Sequence, residues 1–188
     1  MWWIWLIVVV VIVAIIILVV SLYNRLVKER NKTRNAWSQI EVQLKKRFDL
    51  IPNLCETVKG YAAHESGILQ QFAQARANYQ KASESQDIPG MAEADAKLSK
   101  AFNILVNAVH EQYPELKANA NFQEMQTTLK DTEEKIAYAR QFYNDIVLKY
   151  NNMREVFPNI LIANMFGFKP AEFFKAGDEA KDAPKISF

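Results

Sequence analysis

The first 20 residues, MWWIWLIVVVVIVAIIILVV, contain only apolar side chains and constrain the fold more than any other stretch. A helix of about 20 apolar residues, rising about 1.5 Å per residue, matches a hydrocarbon core about 30 Å thick. A cleaved export signal has a basic start, a shorter apolar core and a small-residue cleavage site, and this stretch has none of them. The sequence therefore predicts a transmembrane anchor over residues 1–23.

Aromatic residues lie at both ends of this predicted span. Trp2, Trp3 and Trp5 lie at one end, and Tyr23 lies at the other. Tryptophan and tyrosine favour the headgroup region, because one part of each ring system is apolar and another is polar. These four residues are the predicted interface anchors.

Five basic residues follow the span within ten positions and are accompanied by a single acidic residue, Glu29. Lysine and arginine near the end of a span are retained on the cytoplasmic side of the membrane. The charge pattern therefore predicts an N-terminus outside the cell and a cytoplasmic body. The residues predicted to set this topology are Arg25, Lys28, Arg30, Lys32 and Arg34.

Composition limits the fold and function of the remaining chain. About 165 residues follow the anchor, enough for one domain with a hydrophobic core. The net charge of +2 and the lack of a basic stripe interleaved with aromatics argue against nucleic acid as a partner. Glycine and proline are few, and no segment alternates with period two. We therefore expect an all-α domain.

Positions seven apart from Trp37 to Tyr79 are apolar except Glu65, and a companion apolar row that begins at Ile40 includes Arg47. The phase continues across Pro52. A proline inside a helix removes one hydrogen bond and clashes with the preceding turn. Because the phase is the same on both sides, we expect one long helix over residues 24–81 with a kink at Pro52.

Two further helices are predicted. The polar segment KASESQDIPG indicates a turn, and the helix after it should weaken at Tyr113 and Pro114. A third helix follows the capping residue Asn119, carries apolar residues every seven positions, and stops at Pro158. With a short C-terminal helix, these segments predict a transmembrane helix continuing into an antiparallel, coiled-coil-like bundle of about three long helices.

Three motifs also carry a family resemblance: QLKKRFDLIPNL, YPELKANANF and TEEKIAYARQFYN. Over residues 23–168 the chain resembles the LemA family of bacterial membrane-anchored proteins. The resemblance implies an anchored helical bundle and no established biochemical activity. Some relatives carry a lipoprotein-type cysteine after the apolar run, but here the stretch is LVVSLYN, so lipid attachment is not expected. The predicted organisation is an anchor (1–23), a LemA-like bundle (24–168) and a partly disordered tail (169–188).

The strongest candidates for a metal site are two dipeptides, His64-Glu65 and His110-Glu111. Histidine and carboxylate on facing helices can bind metals inside bundles. Neither dipeptide belongs to a motif that supplies two ligands from one helix face. We therefore interpret both histidines as surface or interface residues and expect no metal and no cofactor.

Other reactive groups have simpler structural interpretations. Cys55 lies one turn from Lys59, but a lone helical cysteine is usually a small buried hydrophobe. The adjacent carboxylates Glu133 and Glu134 do not face one another on a helix. With no phosphate-binding loop and no nucleophile motif, the sequence favours a protein that is not an enzyme.

Three asparagines, Asn24, Asn144 and Asn151, each follow a tyrosine. The favoured interpretation places the tyrosine in the core and lets the asparagine form local hydrogen bonds. The alternative makes the asparagines determinants of oligomer register.

An apolar cluster occupies the C-terminal region within fifteen residues, and its candidate assembly contacts are Ile160, Ile162, Phe166 and Phe168. A helix over residues 24–81 would rise about 85 Å, whereas the next helix would return only part of that distance. The cluster is therefore expected far from the anchoring membrane. There it would cover the bundle tip or contact a neighbouring copy or a second membrane.

These features favour a single-pass scaffold that forms homo-oligomers on the bacterial cell membrane and organises or spaces membranes. The expected partners are membrane lipid and further copies of the chain. The alternative is an adaptor that binds another membrane protein, such as a membrane protease. A metal-dependent enzyme is the third and least favoured reading.

Overall fold

A computed structural model of the chain describes residues 1–61 and 66–175. All regular secondary structure in these residues is α-helical, which confirms the predicted all-α class. The helices are α1 (Trp2–Asp49), α2 (Ile51–Lys59), α3 (Ser66–Glu84), α4 (Ile88–Gln112), α5 (Pro114–Ala118), α6 (Ala120–Glu155) and α7 (Asn159–Met165).

The chain divides into two compact units, and α1 and α6 each contribute to both. Unit 1 contains Met1–Ser38 and Phe142–Glu172. Unit 2 contains the described residues of Gln39–Gln141 and residues 173–175.

The junction between α1 and α2 is a local interruption next to Pro52. Leu50 separates the two helices but keeps helical backbone angles, with φ −79° and ψ −18°. Its N–H donates to the Arg47 carbonyl three residues back, at 3.3 Å, instead of four residues back. The Leu54 N–H then donates to the Leu50 carbonyl at 3.0 Å, which resumes the helical pattern. The interruption follows from the N–H that proline lacks.

Replacing Pro52 with alanine is expected to preserve the fold and join α1 to α2. Alanine restores a backbone hydrogen bond, which stabilises the fold, but it also makes the unfolded chain more flexible, which destabilises the fold. The free energy of unfolding should therefore change by no more than about 1 kcal/mol. Spin labels at Lys45 and Lys59, both exposed, should report a narrower distance distribution in Pro52→Ala than in the parent chain. A large shift of the mean distance would show that Pro52 sets the direction of the chain.

The predicted single helix over residues 24–81 was wrong beyond Lys59. The Phe48 and Tyr79 rings stack with centroids 4.1 Å apart and planes at 5°, so α3 runs antiparallel to α2 and the end of α1. Gly60 follows α2 directly, and glycine lowers helix stability by about 1 kcal/mol relative to alanine. The heptad pattern also has polar Glu65 at a core position, which weakened the case for continuity.

The later helix boundaries agree with the sequence predictions. α3 ends at Glu84, and Asp87 caps α4 by accepting a hydrogen bond from the Gly90 N–H at 3.0 Å. α4 ends before Tyr113, whose backbone is not helical. The Asn119 side chain accepts from the Phe122 N–H at 3.0 Å and so caps the start of α6.

The core of unit 2 follows the predicted heptad positions. Leu44, Ile51, Leu54, Val58 and Phe72 are all buried. Burial of side chains of this size contributes about 1.5–3 kcal/mol each relative to exposure. The apolar period therefore predicted the buried faces of α2 and α3 even though it missed the reversal between them.

Candidate functional site

The apolar part of α1 is exposed to solvent in the isolated chain. Of the helices in the described ranges, α1 and its α2 extension form the one long and apolar enough to cross a membrane. Trp2, Trp3 and Trp5 lie at its start, each about two-thirds exposed or more, and Tyr23 lies just beyond the apolar run. Their contact with lipid stays a prediction.

The end of this apolar run carries the hydrophobic core of unit 1. The buried members of the core are Leu26, Tyr150, Met153, Ile162, Ala163 and Phe168. Val19, at the end of the apolar run, and Leu22, within the predicted anchor, pack against this core. The C-terminal half of α6 therefore runs antiparallel to α1, and α7 lies beside the end of the predicted span.

The predicted position of the C-terminal apolar cluster, far from the anchoring segment, was therefore wrong. The predicted rise of about 85 Å assumed one helix over residues 24–81, whereas the chain reverses direction between α2 and α3. Ile162 and Phe168 are buried within one chain, Ile160 is half-buried, and Phe166 is half-exposed. Contact of these four residues with a second copy stays a prediction, and Phe166 is the most accessible of them.

Aromatic contacts fix α7 against α1. The Tyr23 ring lies edge-on to Phe166 and Phe168, with centroid distances of 4.9 and 5.6 Å. The Arg30 guanidinium carbon lies 5.1 Å from the Phe168 ring centroid, within the range of a cation–π interaction. Tyr23, a predicted interface anchor, and Arg30, a predicted topology residue, thus also contact the C-terminal segment.

Residues 169–172 form a strap that hydrogen-bonds along α6. The Tyr143 and Tyr150 hydroxyls donate to the carbonyls of Glu172 and Lys169 at 2.7 and 2.9 Å. Burial raises the pKa of Tyr143 to about 12, and the nearby Glu172 carboxylate adds to the shift. Burial also raises the pKa of Tyr150. Both hydroxyls therefore stay protonated and act as hydrogen-bond donors. The predicted tail thus begins with a segment bound to α6, and residues 176–188 lie outside the described part.

Asn151 binds the strap by both groups of its amide. Its Nδ2 donates to the Ala171 carbonyl and its Oδ1 accepts from the Ala171 N–H, each at 2.9 Å. This geometry supports the interpretation of Asn151 as a local hydrogen-bonding residue.

The variant Asn151→Ala should loosen the strap, because it removes two hydrogen bonds and leaves the Ala171 peptide unpaired. We expect a loss of local stability of about 1–3 kcal/mol. Hydrogen exchange at residues 168–172 should accelerate, while exchange in α4 stays unchanged. Asn152→Ala is the matched control, since Asn152 is the exposed neighbour. Equal exchange rates in the two variants would contradict this role of Asn151.

The predicted topology charges have different environments in unit 1. Arg25, Lys28 and Arg34 are exposed. The Lys32 Nζ lies 2.7 Å from the buried Glu29 carboxylate and holds the pKa of Glu29 below its usual range. Lys32 is therefore paired within the chain although it is also exposed, and the role of the five charges in topology stays a prediction.

The sequence interpretation missed a buried ion pair in unit 2. An Arg47 Nη lies 2.5 Å from Asp95 Oδ1, and the second Nη donates to the Ser99 hydroxyl at 2.9 Å. Glu133 lies 3.5 Å from the same guanidinium. Burial raises the pKa of Asp95, and the Arg47 guanidinium opposes this shift. Arg47 stands in the apolar heptad row, which is the signal that could have identified it.

The other candidate reactive residues are Cys55 and the two His-Glu dipeptides. Burial raises the pKa of the Cys55 thiol, which disfavours a thiolate despite Lys59 nearby. Residues His64 and Glu65 lie outside the described part of the chain, and His110 is exposed. Within residues 1–61 and 66–175, no group of three or more histidine, cysteine, aspartate or glutamate side chains is placed to hold a metal ion.

A long exposed apolar helix, a helical body and a C-terminal segment folded against the end of that apolar stretch define a membrane-associated helical protein. The family model described as LemA family matches residues 36–188. The chain belongs to the LemA family, as the sequence motifs predicted.

Curated relatives include the magnetosome protein MamQ 2 of Paramagnetospirillum magneticum and the magnetosome protein MamQ of Magnetospirillum gryphiswaldense. Each is 27% identical over 190 residues, covering 87% of this chain and 70% of the relative. The protein LemA of Metamycoplasma hominis is 24% identical over 159 residues, covering 85% of this chain and 71% of the relative.

Proposed function

We propose that this protein is a single-pass scaffold that self-assembles on a bacterial cell membrane and catalyses no reaction. The observation that carries the proposal is the continuity of α1, which contains both the exposed apolar run and helical residues of the two units. Within unit 1 the apolar run and the helical residues after it belong to one helix, so no loop separates the proposed span from the folded part of this unit.

Self-assembly is supported by large apolar side chains exposed on the helical body. Val42 and Tyr138 of unit 2 are 63% and 77% exposed, and Phe142 and Leu148 of unit 1 are also exposed. Exposed apolar groups of this size favour contacts with a partner when they are close together. Anchoring many copies in one membrane raises their effective concentration, so even weak contacts between bodies can produce assemblies.

A structural role is supported by how the buried polar groups are used. Arg47 and Asp95 bind one another, and the hydroxyls of Tyr143 and Tyr150 bind backbone carbonyls. Each of these groups stabilises the fold through a partner in its own chain. The relatives are named after the magnetosome and after LemA itself, and their names state no reaction.

Self-assembly can be tested by producing two full-length copies with different tags in the same cells. After mild detergent extraction, capture of one tag should retain the other. Tyr138→Ser and Phe142→Ser should reduce this retention several-fold, whereas Lys135→Ser, an exposed polar change on the same helix, should leave it unchanged. Retention that is absent in the parent chain would contradict the scaffold and favour the adaptor.

The proposed topology places the N-terminus outside and the helical body in the cytoplasm. A fluorescent protein fused to the C-terminus should therefore fluoresce, and alkaline phosphatase fused there should be inactive. Arg25→Glu combined with Lys28→Glu should shift part of the population toward the opposite orientation, because both charges flank the span. Active phosphatase in the parent fusion would overturn this orientation.

A further inference from the structure

The short helix α7 has an unusual distribution of polar and apolar residues. Its buried face includes Asn159, whose side chain donates to the Met153 carbonyl at 3.0 Å. Three of its residues are exposed, Asn164 and the apolar Leu161 and Met165, which are 59% and 65% exposed, and Phe157 just before the helix is 79% exposed. A helix that faces water normally directs polar residues outward. The outward side of α7 therefore has the composition of a surface in contact with an apolar partner.

The position of α7 along α1 indicates which partner this is. Val19, at the end of the apolar run, and Leu22, just beyond it, pack against the core that holds α7. Val19 lies six residues before Arg25, the first charged residue, and therefore about 9 Å from it along the helix axis. If the apolar run fills the hydrocarbon core, the side chains packed on Val19 lie at its boundary.

We propose that α7 is a second membrane contact that inserts into the boundary between headgroups and acyl chains of the bilayer that α1 crosses. The α7 apolar face, defined as Phe157, Leu161, Met165 and Phe166, would meet lipid at this depth. Phe166 also contacts Tyr23, which the sequence places at the interface, so the face continues the predicted anchor surface. The proposal rests on the membrane anchoring in the proposed function and does not require self-assembly.

Exposed cations that follow the apolar run and α7 in the sequence fit the same partner. Arg25 and Lys28 follow the apolar run on α1, and Lys169 follows α7; all three are exposed. Cations beside an apolar helix face strengthen binding to membranes that contain anionic lipids. Insertion at two places would fix the tilt of unit 1 against the bilayer, which a single span leaves free.

The test measures the depth of spin labels in the full-length protein. The chain carries Cys55→Ser and one new cysteine at a time, and it is reconstituted into nanodiscs of phosphatidylcholine and phosphatidylglycerol with one copy per disc. The labelled variants are Leu161→Cys on α7, Ser38→Cys as an exposed control on α1, and Val10→Cys within the span. Accessibility to oxygen, which concentrates in lipid, is compared with accessibility to a water-soluble nickel chelate.

The label at 161 is expected to show an oxygen-to-nickel ratio several-fold higher than the label at 38. Adding Met165→Asp should move the label at 161 toward the control value without lowering the melting temperature, because Met165 is exposed. Equal ratios at 161 and 38, with the label at 10 in lipid, would overturn the proposal and leave anchoring intact. If the label at 161 is shielded from the nickel chelate only in discs with two copies, the α7 apolar face binds a second copy, which would also overturn the proposal. A water-accessible label at 10 would refute anchoring and the α7 contact together.

Discussion

Replacing Arg47 with alanine is expected to lower the free energy of unfolding by about 3–5 kcal/mol, since the change leaves a buried carboxylate without its partner. Arg47 is 1% exposed and Asp95 is 6% exposed, so the Asp95 carboxylate that remains in the variant is shielded from bulk water. The Ser99 hydroxyl also loses its hydrogen-bond donor. Chemical denaturation of the full-length protein in detergent, followed by circular dichroism, measures the effect.

The matched control for Arg47→Ala is Lys97→Ala, which breaks an exposed ion pair in the same unit. Lys97 lies 2.6 Å from Glu93, and both side chains are more than half exposed. An exposed pair of this kind contributes roughly 0.3–0.5 kcal/mol. The double variant Arg47→Met with Asp95→Leu should regain most of the stability, because apolar residues can replace a buried pair. Equal losses of unfolding free energy in Arg47→Ala and Lys97→Ala would show that Arg47 is not buried in solution.

Replacing Phe168 with alanine is expected to release α7 and the strap from α1. Phe168 is 5% exposed and packs in the core of unit 1, where it also contacts Tyr23 and Arg30. Truncation of a buried phenylalanine costs about 3–5 kcal/mol. Limited proteolysis should cleave the variant after α6 many times faster than the parent chain.

Phe166→Ala provides the control for Phe168→Ala. Phe166 lies two residues earlier and is 51% exposed, so its truncation should leave the rate of proteolysis nearly unchanged. Equal rates of proteolysis in Phe168→Ala and Phe166→Ala would contradict the burial of Phe168 inside unit 1. A membrane-binding defect in Phe166→Ala without faster proteolysis would agree with the α7 contact proposed above.

The helical class and several boundaries could be predicted because they depend on local chemistry. The Asp87 and Asn119 side chains cap the helices that follow them, and proline interrupts the helix around Leu50. Such signals act within about one turn, so the sequence alone contains them. The heptad pattern likewise predicted the buried faces, because burial follows the helical period.

The reversal after α2 could not be derived from that pattern. A heptad row shows which side of a helix is buried but does not distinguish one straight helix from two that fold back in register. Gly60 was the available signal, and its effect of about 1 kcal/mol is too small to decide the direction of the chain. The predicted position of α7, far from the anchor, was wrong for the same reason, because it was calculated from the length of a single helix over residues 24–81.

The remaining features depend on contacts between residues far apart in sequence. Arg47 and Asp95 are 48 positions apart, and the strap joins Tyr143 to Glu172. An arginine in an apolar row and tyrosines in a core row indicate that partners are needed, but they do not identify them. The same holds for Val19, whose packing against the core around α7 appears only in the folded chain.

If the anchored protein self-assembles, the full-length chain in a mild detergent has the mass of more than one copy. Size-exclusion chromatography with light scattering separates the mass of the protein from that of the bound detergent. We expect a multiple of the 21.7 kDa chain that falls toward one copy in Tyr138→Ser or Phe142→Ser. A single copy of the parent chain at every concentration, with α1 still required for membrane retention, would contradict self-assembly.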